Sequence, residues 1–176
     1  MPKLSLDEAF GFLAEANHLA RLATVDRDGM PRVVPLWFIM EGDNLCLTPR
    51  SQSVVWLNML RDSRIGISID EDEQPYRKVT VQGRVQVLYE PGRDRQWQHL
   101  YRAMARRYVS FEAANEYVDS TDDQPRPLCA IDLSARTTRL STWRMPTPDE
   151  DPRGIWHNRY YAPGTKMHSP GPDKSG

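Results

Sequence analysis

Between Leu19 and Thr48 the chain alternates three apolar runs with two turn signals: LARLATV, DRDG, PRVVPLWFIM, EGDN and LCLT. Short apolar runs bounded by Asp-Gly or Gly-Asp read as strands joined by hairpins. Two hairpins within thirty residues leave no room for crossover helices, so an antiparallel meander is expected and not a βαβ unit. The middle run is apolar on both faces, with Val33, Trp37 and Ile39 on one and Val34, Leu36 and Phe38 on the other. Such a strand needs cover on both sides, from a barrel or sandwich interior or from a partner subunit. Pro35 has no N–H to donate to a ladder, so pairing is expected to break or to lie at an edge there.

The flanking segments continue the pattern. Ser5 ahead of Asp7 and Glu8 is an N-cap signal, and Leu6, Phe10, Leu13 and Ala14 recur at helical spacing, which predicts a helix over 5–16. A short helix is expected over 53–62, then a strand in RIGISID and one long strand in YRKVTVQGRVQVLYE, with Gly83 marking a bulge or bend. Trp97, Leu100, Tyr101, Met104 and Tyr108 form a helical stripe, SFEAANEYV a further short helix, and PLCAIDL and TTRLSTWRM the final strands. The total is six or seven antiparallel strands with short flanking helices, an α+β and mostly β barrel. Residues 1–145 are read as that domain and 146–176 as a C-terminal extension, with the composition of a flexible terminus from about residue 163.

Composition removes several functions. A length of 176 residues suits one domain with a real core, and a net charge of −1 gives no overall attraction to nucleic acid or membrane. The arginines between Arg93 and Arg107 alternate with acids, so a solvated helix face is the ordinary reading. No run approaches the roughly 20 apolar residues of a membrane span, and the acidic N-terminus is unlike a signal peptide, which predicts a cytoplasmic protein. Cys46 and Cys129 each lie inside apolar runs without CxxC spacing, as buried thiols do in a reducing compartment. His18, His99, His157 and His168 have no ligand spacing, and the run Asp70–Glu73 lacks the glycine and distal Glu of a calcium loop, so no metal is expected. There is no GxSxG, GxGxxG or Walker A sequence, and side-chain catalysis alone has little support.

LTPRSQSVVWLNMLRDSR, Leu47–Arg64, is the remaining candidate. Thr48, Ser51 and Ser53 are hydroxyl donors and Arg50 is a bidentate partner for phosphate, all just ahead of a predicted helix start whose N–H groups attract anions. Ser or Thr before a helix is more often a cap, so both readings stand on these residues alone.

The order of the segments adds to this. PRVVPLWF, LCLT, the Ser-rich corner, a helix ending NMLRDSR, IGISI and RKVTVQGRVQVL together resemble the FMN-binding split β-barrel family. That is the superfamily of pyridoxine 5′-phosphate oxidase and the deazaflavin (coenzyme F420)-dependent reductases. The resemblance covers about residues 8–90, and ARRYVSFEAANEYVDSTDDQPRPL with TWRM and RYY is similar to the second half of some of its members. It implies a homodimer with FMN at the interface, or the deazaflavin instead, and hydride transfer to or from a small molecule. By position, Arg32, Val33, Val34 and Pro35 match the ring-binding strand, Thr48 the hydroxyl ending the third strand, and Ser53 the serine of a Ser-Arg-Lys element. Asn58 matches a helix position that is often Asn or Gln, and Lys78 a polar residue near the ring edge. If a flavin binds, Trp143 and Arg144 are candidates for the substrate side, a core or interface role being the alternative for Trp143. Val54 and Val55 replace the Arg-Lys that follows that serine, leaving Arg50 as the only cation in the loop. The alternatives are a non-catalytic barrel that holds a flavin or haem, and a dimer without any cofactor.

Overall fold

The computed structural model describes residues 2–147, 149, 150, 162, 164 and 165. His157, His168 and almost all of the segment from about residue 163 lie outside these residues.

The first helix, α1 (Leu6–Ala14), opens on a capping box: the Ser5 hydroxyl accepts from the Glu8 N–H at 3.2 Å, and the Glu8 carboxylate from the Ser5 N–H at 2.7 Å. It ends two residues earlier than the apolar spacing predicts. Arg107 reaches back to donate to the carbonyls of Leu13, Ala14 and Glu15, which supplies the partners that a further turn would otherwise need.

Two antiparallel sheets follow. Strands β1 (Ala20–Val25), β2 (Pro31–Leu36), β5 (Arg64–Asp70), β6 (Lys78–Arg84) and β9 (Arg139–Trp143) form a five-stranded sheet in the order β2-β1-β5-β6-β9. Strands β3 (Phe38–Glu41), β4 (Asn44–Leu47), β7 (Gln86–Tyr89) and β8 (Leu128–Asp132) form a four-stranded sheet in the order β3-β4-β8-β7. The helices are α2 (Val54–Arg61) between β4 and β5, and α3 (Gln98–Ala105) and α4 (Phe111–Ser120) between β7 and β8.

Two strands expected to be continuous are each divided between the sheets. The run from Pro31 to Met40 breaks at Trp37: Leu36 still faces Ala20 of β1, whereas Phe38 faces Leu47 of β4. The Tyr108 hydroxyl holds the break, accepting from the Phe38 N–H at 3.1 Å and donating to the His18 carbonyl at 2.8 Å. The run from Tyr76 breaks at Val85, whose N–H turns to the Ser63 carbonyl at 2.8 Å. Gly83 lies at the bend, where a Cβ would meet side-chain atoms of Ile131 and Thr138 at 3.2 Å, so a larger residue would require those side chains to shift by a few tenths of an ångström. Joining β2 to β3 and β6 to β7 turns nine strands into seven. Pro35 sits on β2, at the sheet edge, where its missing N–H costs no ladder bond.

Strand alternation divides the core in two. Leu45, Leu47, Cys129 and Ile131 face inward with Leu22, Phe38, Ile69 and Val79 between the sheets. Cys46, Leu128 and Ala130 face the other way, onto Trp97, Leu100, Tyr101 and Met104 under α3 and α4. Burial pushes the Cys46 thiol up to about 11 and the Cys129 thiol up to about 12, so both are protonated and inert at neutral pH. No helix of the described residues is long and apolar enough to cross a membrane.

Candidate functional site

The residues singled out in the sequence fall into three places. The first is the seam between α2 and the β1–β2 hairpin. Ser53 caps α2, its hydroxyl accepting from the Trp56 N–H at 3.2 Å. Asn58, buried at 2% exposure, donates to the Thr24 hydroxyl at 3.1 Å and the Asp26 carboxylate at 2.7 Å. Arg32 grips the same carboxylate through Nε at 2.8 Å and a terminal nitrogen at 2.7 Å. Asp26 is held down to about 2, first by its hydrogen bonds from Arg32 and then by that from Asn58. Arg32 and Asn58 are thus joined through one carboxylate.

The second place is the corner after β4. Thr48 is buried, and its hydroxyl donates to the Pro127 carbonyl at 2.8 Å. The Ser51 N–H donates to the Pro125 carbonyl at 3.2 Å, so the corner is pinned to the segment entering β8. That segment carries a residue the sequence did not single out. Arg126 is only 6% exposed, and among the described residues it makes no ion pair. Its terminal nitrogens donate to the Thr48 carbonyl and the Tyr117 hydroxyl, both at 3.3 Å, its carbon lies 5.0 Å over the Tyr101 ring, and its buried Nε has no partner.

Pro35, Trp37, Thr48, Tyr101, Tyr117 and Arg126 border a cavity of about 190 Å3 where β2 gives way to β3. Tyr117 collects donors: Tyr101, Arg126 and the Arg50 side chain all hydrogen-bond or charge-stabilise its oxygen. Burial raises its phenol, but the Tyr101 hydrogen bond, the Arg126 charge and Arg50 outweigh that and hold it below the ordinary value. Tyr101 is pushed up by its own burial. The wall is therefore rich in donors and positive charge.

The third place is the outer face of the five-stranded sheet. Val33 is 63% exposed there, on the face opposite the half-buried Val34. Ala23, Gly66, Ser68, Thr80 and Ser141 give this face a floor of small side chains under two open clefts of about 560 and 510 Å3. These clefts are larger than the cavity at Thr48, but among the described residues no buried charge lines them. At the far edge Lys78 lies 5.4 Å over the Trp143 ring, and the two residues pair across β6 and β9. Arg144, one residue on, is bound bidentately by Glu150 at 2.8 and 2.9 Å. At about 4.8 Å per strand spacing, β6 with Lys78 lies ~14 Å from β2 along the sheet and β9 with Trp143 ~19 Å. One protomer therefore does not bring Lys78, Trp143 and Arg144 together with Val33 and Pro35.

Other charged groups have partners. Glu15, His18 and Glu71 come close enough to offer a metal three ligand atoms, but Arg77 bridges the two carboxylates at 2.7 Å each, so a cation already occupies their centre. Asp70 in the acidic loop pairs with Arg21 at 2.8 Å. In the basic helix region, Arg102 pairs with Asp119, Arg106 stacks 4.2 Å over Phe111, and Arg107 caps α1.

A family profile described as pyridoxamine 5′-phosphate oxidase matches residues 6–140, from α1 into β9. The chain belongs to the pyridoxamine 5′-phosphate oxidase family. Solved structures agree on the fold of this family member. A FAD-binding protein from Mesorhizobium loti is 22% identical, with a TM-score of 0.58 over 82% of this chain and 98% of that one. An F420 reductase is 24% identical, with a TM-score of 0.52 over 73% and 93%. A haem storage protein from Vibrio cholerae is 17% identical, with a TM-score of 0.56 over 77% and 94%. No curated protein matches the sequence significantly. The fold thus accompanies flavin, deazaflavin and haem in different proteins.

Proposed function

We propose that this member of the family is a homodimeric oxidoreductase that uses FMN, or the deazaflavin F420, to move a hydride to or from a small organic molecule. The observation that carries the reading is the donor-rich cavity beside the free edge of β2. A flavin nucleotide presents a planar ring and an anionic phosphate, and this region offers both an extended strand edge at Val33–Pro35 and, with Arg126 on the cavity wall, the cation and hydroxyl of Arg50 and Ser51 in the adjoining corner. The absence of an Arg-Lys pair after Ser53 is offset by Arg126, so the residues present fit an anionic cofactor. A bound flavin supplies the hydride chemistry itself. The chain's part is to bind and orient: β2 for the ring, the corner and Arg126 for the anionic end, and the helices α3 and α4 to shield the cavity from water.

The same geometry supports the homodimer. Lys78 on β6 lies three strand spacings, ~14 Å, and Trp143 on β9 four, ~19 Å, from β2 within one protomer, and a two-fold packing of the small-residue sheet face would let the partner supply them. The second reading is a flavin- or haem-holding protein without turnover, favoured by a cavity lining that, among the described residues, holds no histidine or carboxylate. Titration with FMN, F420 and haem, followed by turnover assays with NAD(P)H or reduced F420, separates the two. A yellow complex absorbing at about 450 nm with reductant-dependent turnover supports the enzyme. Tight uptake without turnover supports the holder, and failure to take up any of the three overturns both.

A further inference from the structure

Arg126 is shared between two cavities. Its terminal nitrogens donate to Thr48 and Tyr117, which border the cavity beside β2. It also lines a second, smaller cavity of about 60 Å3, where the end of α4 passes the start of α3. Trp97, Tyr101 and Val118, all three buried, form the inner wall there. Two side chains on this wall keep an unmatched donor. Trp97 is 2% exposed and Arg126 6%, and neither the indole Nε1–H nor the guanidinium Nε–H has a partner. Buried donors are bonded in nearly all folded proteins, so two unmatched ones on the lining of one cavity mark a place for an acceptor.

The charge of the wall selects the acceptor. A buried guanidinium without a counterion is costly, and an anion in this cavity removes that cost. Asp94, also on the wall, is engaged by the main chain: its two oxygens accept from the N–H groups of Arg126 and Gly92, each at 2.9 Å. Asp122 is exposed, so solvent screens its charge. Helix α3 begins on the same wall with Gln98 and has no side-chain cap, so the positive end of its dipole adds to the attraction. Two N–H donors from two side chains match the two oxygens of a planar carboxylate, whereas a phosphate brings more oxygens than they can serve. A volume of 60 Å3 equals that of about two waters and suits a group the size of acetate. The rest of a longer acid would leave past Thr121 and Gln124.

We propose that the cavity between α3 and α4 binds a small carboxylic acid as its anion, one oxygen accepting the Trp97 Nε1–H and the other the Arg126 Nε–H. The site is separate from the cavity beside β2 and does not depend on the flavin reading.

Indole and guanidinium N–H groups give separate proton–nitrogen NMR signals, so both donors can be followed in the full chain. Acetate titrated into the isotope-labelled wild type should shift the Trp97 Nε1–H and Arg126 Nε–H signals together and saturably, and chloride at equal ionic strength should shift neither. The signal lost in Trp97→Phe identifies Trp97 among the five tryptophans. In that variant acetate should bind about tenfold more weakly, as read at Arg126. If Trp97→Phe does not fold, Val118→Leu carries the test: it narrows the cavity, keeps both donors and should abolish the joint shift. Acetamide, of the same size without the charge, should bind at least about tenfold more weakly than acetate. A joint acetate shift in a protein that takes up no flavin upholds this site and removes the flavin reading, and flavin uptake with no acetate shift does the reverse. Contact of both N–H groups with water alone, a shift that survives in Val118→Leu, or acetamide binding as well as acetate overturns the proposal.

Discussion

Asn58 ties three parts of the chain with one amide: its own helix, Thr24 of β1 and Asp26 of the hairpin. Asn58→Ala removes both bonds from a buried position and should cost about 1–3 kcal/mol in urea unfolding. Asp26 belongs to the same knot and makes it pH-dependent. Its folded value, about 2, lies below its ordinary 3.8, so its contribution is complete above the unfolded value and is lost as pH falls through the folded one. Glu15 and Glu71, lowered first by their hydrogen bonds to Arg77, act in the same direction. The urea midpoint should be level from about pH 7 to 5 and fall below that, and Asp26→Asn should flatten part of the fall. The residue chemistry of LTPRSQS was legible in the sequence, because caps and phosphate ligands draw on the same few side chains. Arg126 was not. In DQPRPL it looks like any surface arginine, and its burial comes from Thr48, 78 positions earlier.

At the scale of elements, Ser53 shows that the two readings of the corner need not compete. It caps α2, so Ser53→Ala should destabilise the protein by about 1 kcal/mol and speed amide exchange in the first turn of α2, whether or not a ligand is present. The order of the elements could be read from the hydrophobic periods, because antiparallel strands and amphipathic helices repeat differently, but not every boundary: α1 stops at Ala14, and two expected strands are each divided. Where a strand changes sheets could not. The period of two runs straight through Leu36-Trp37-Phe38, and the break is set by the Tyr108 hydroxyl, 70 residues further on. The stack of Trp37 on Tyr108, with centroids 5.1 Å apart and rings within 4° of parallel, fixes the same point from the side-chain side.

At the scale of the whole molecule, the proposed two-fold pairing uses the exposed face of the five-stranded sheet. Thr80 lies on this face between Ser68 of β5 and Ser141 of β9. Thr80→Arg puts a long charged side chain there, and sedimentation should then show monomers where the wild type shows dimers. If the cofactor lies across that interface, flavin uptake should fall in parallel. A sequence carries little signal for such a face, since small polar residues suit solvent and a close-packed partner equally. The unpaired guanidinium of Arg126 has a consequence at this scale too. Buried charge without a counterion lowers the stability of the empty protein, and an anion that binds only the native state restores it in proportion to the logarithm of its concentration. In a cell, copies that go unfilled open more often and are degraded sooner. The steady-state level of this protein would then track the supply of its ligand with no dedicated transcriptional or proteolytic signal.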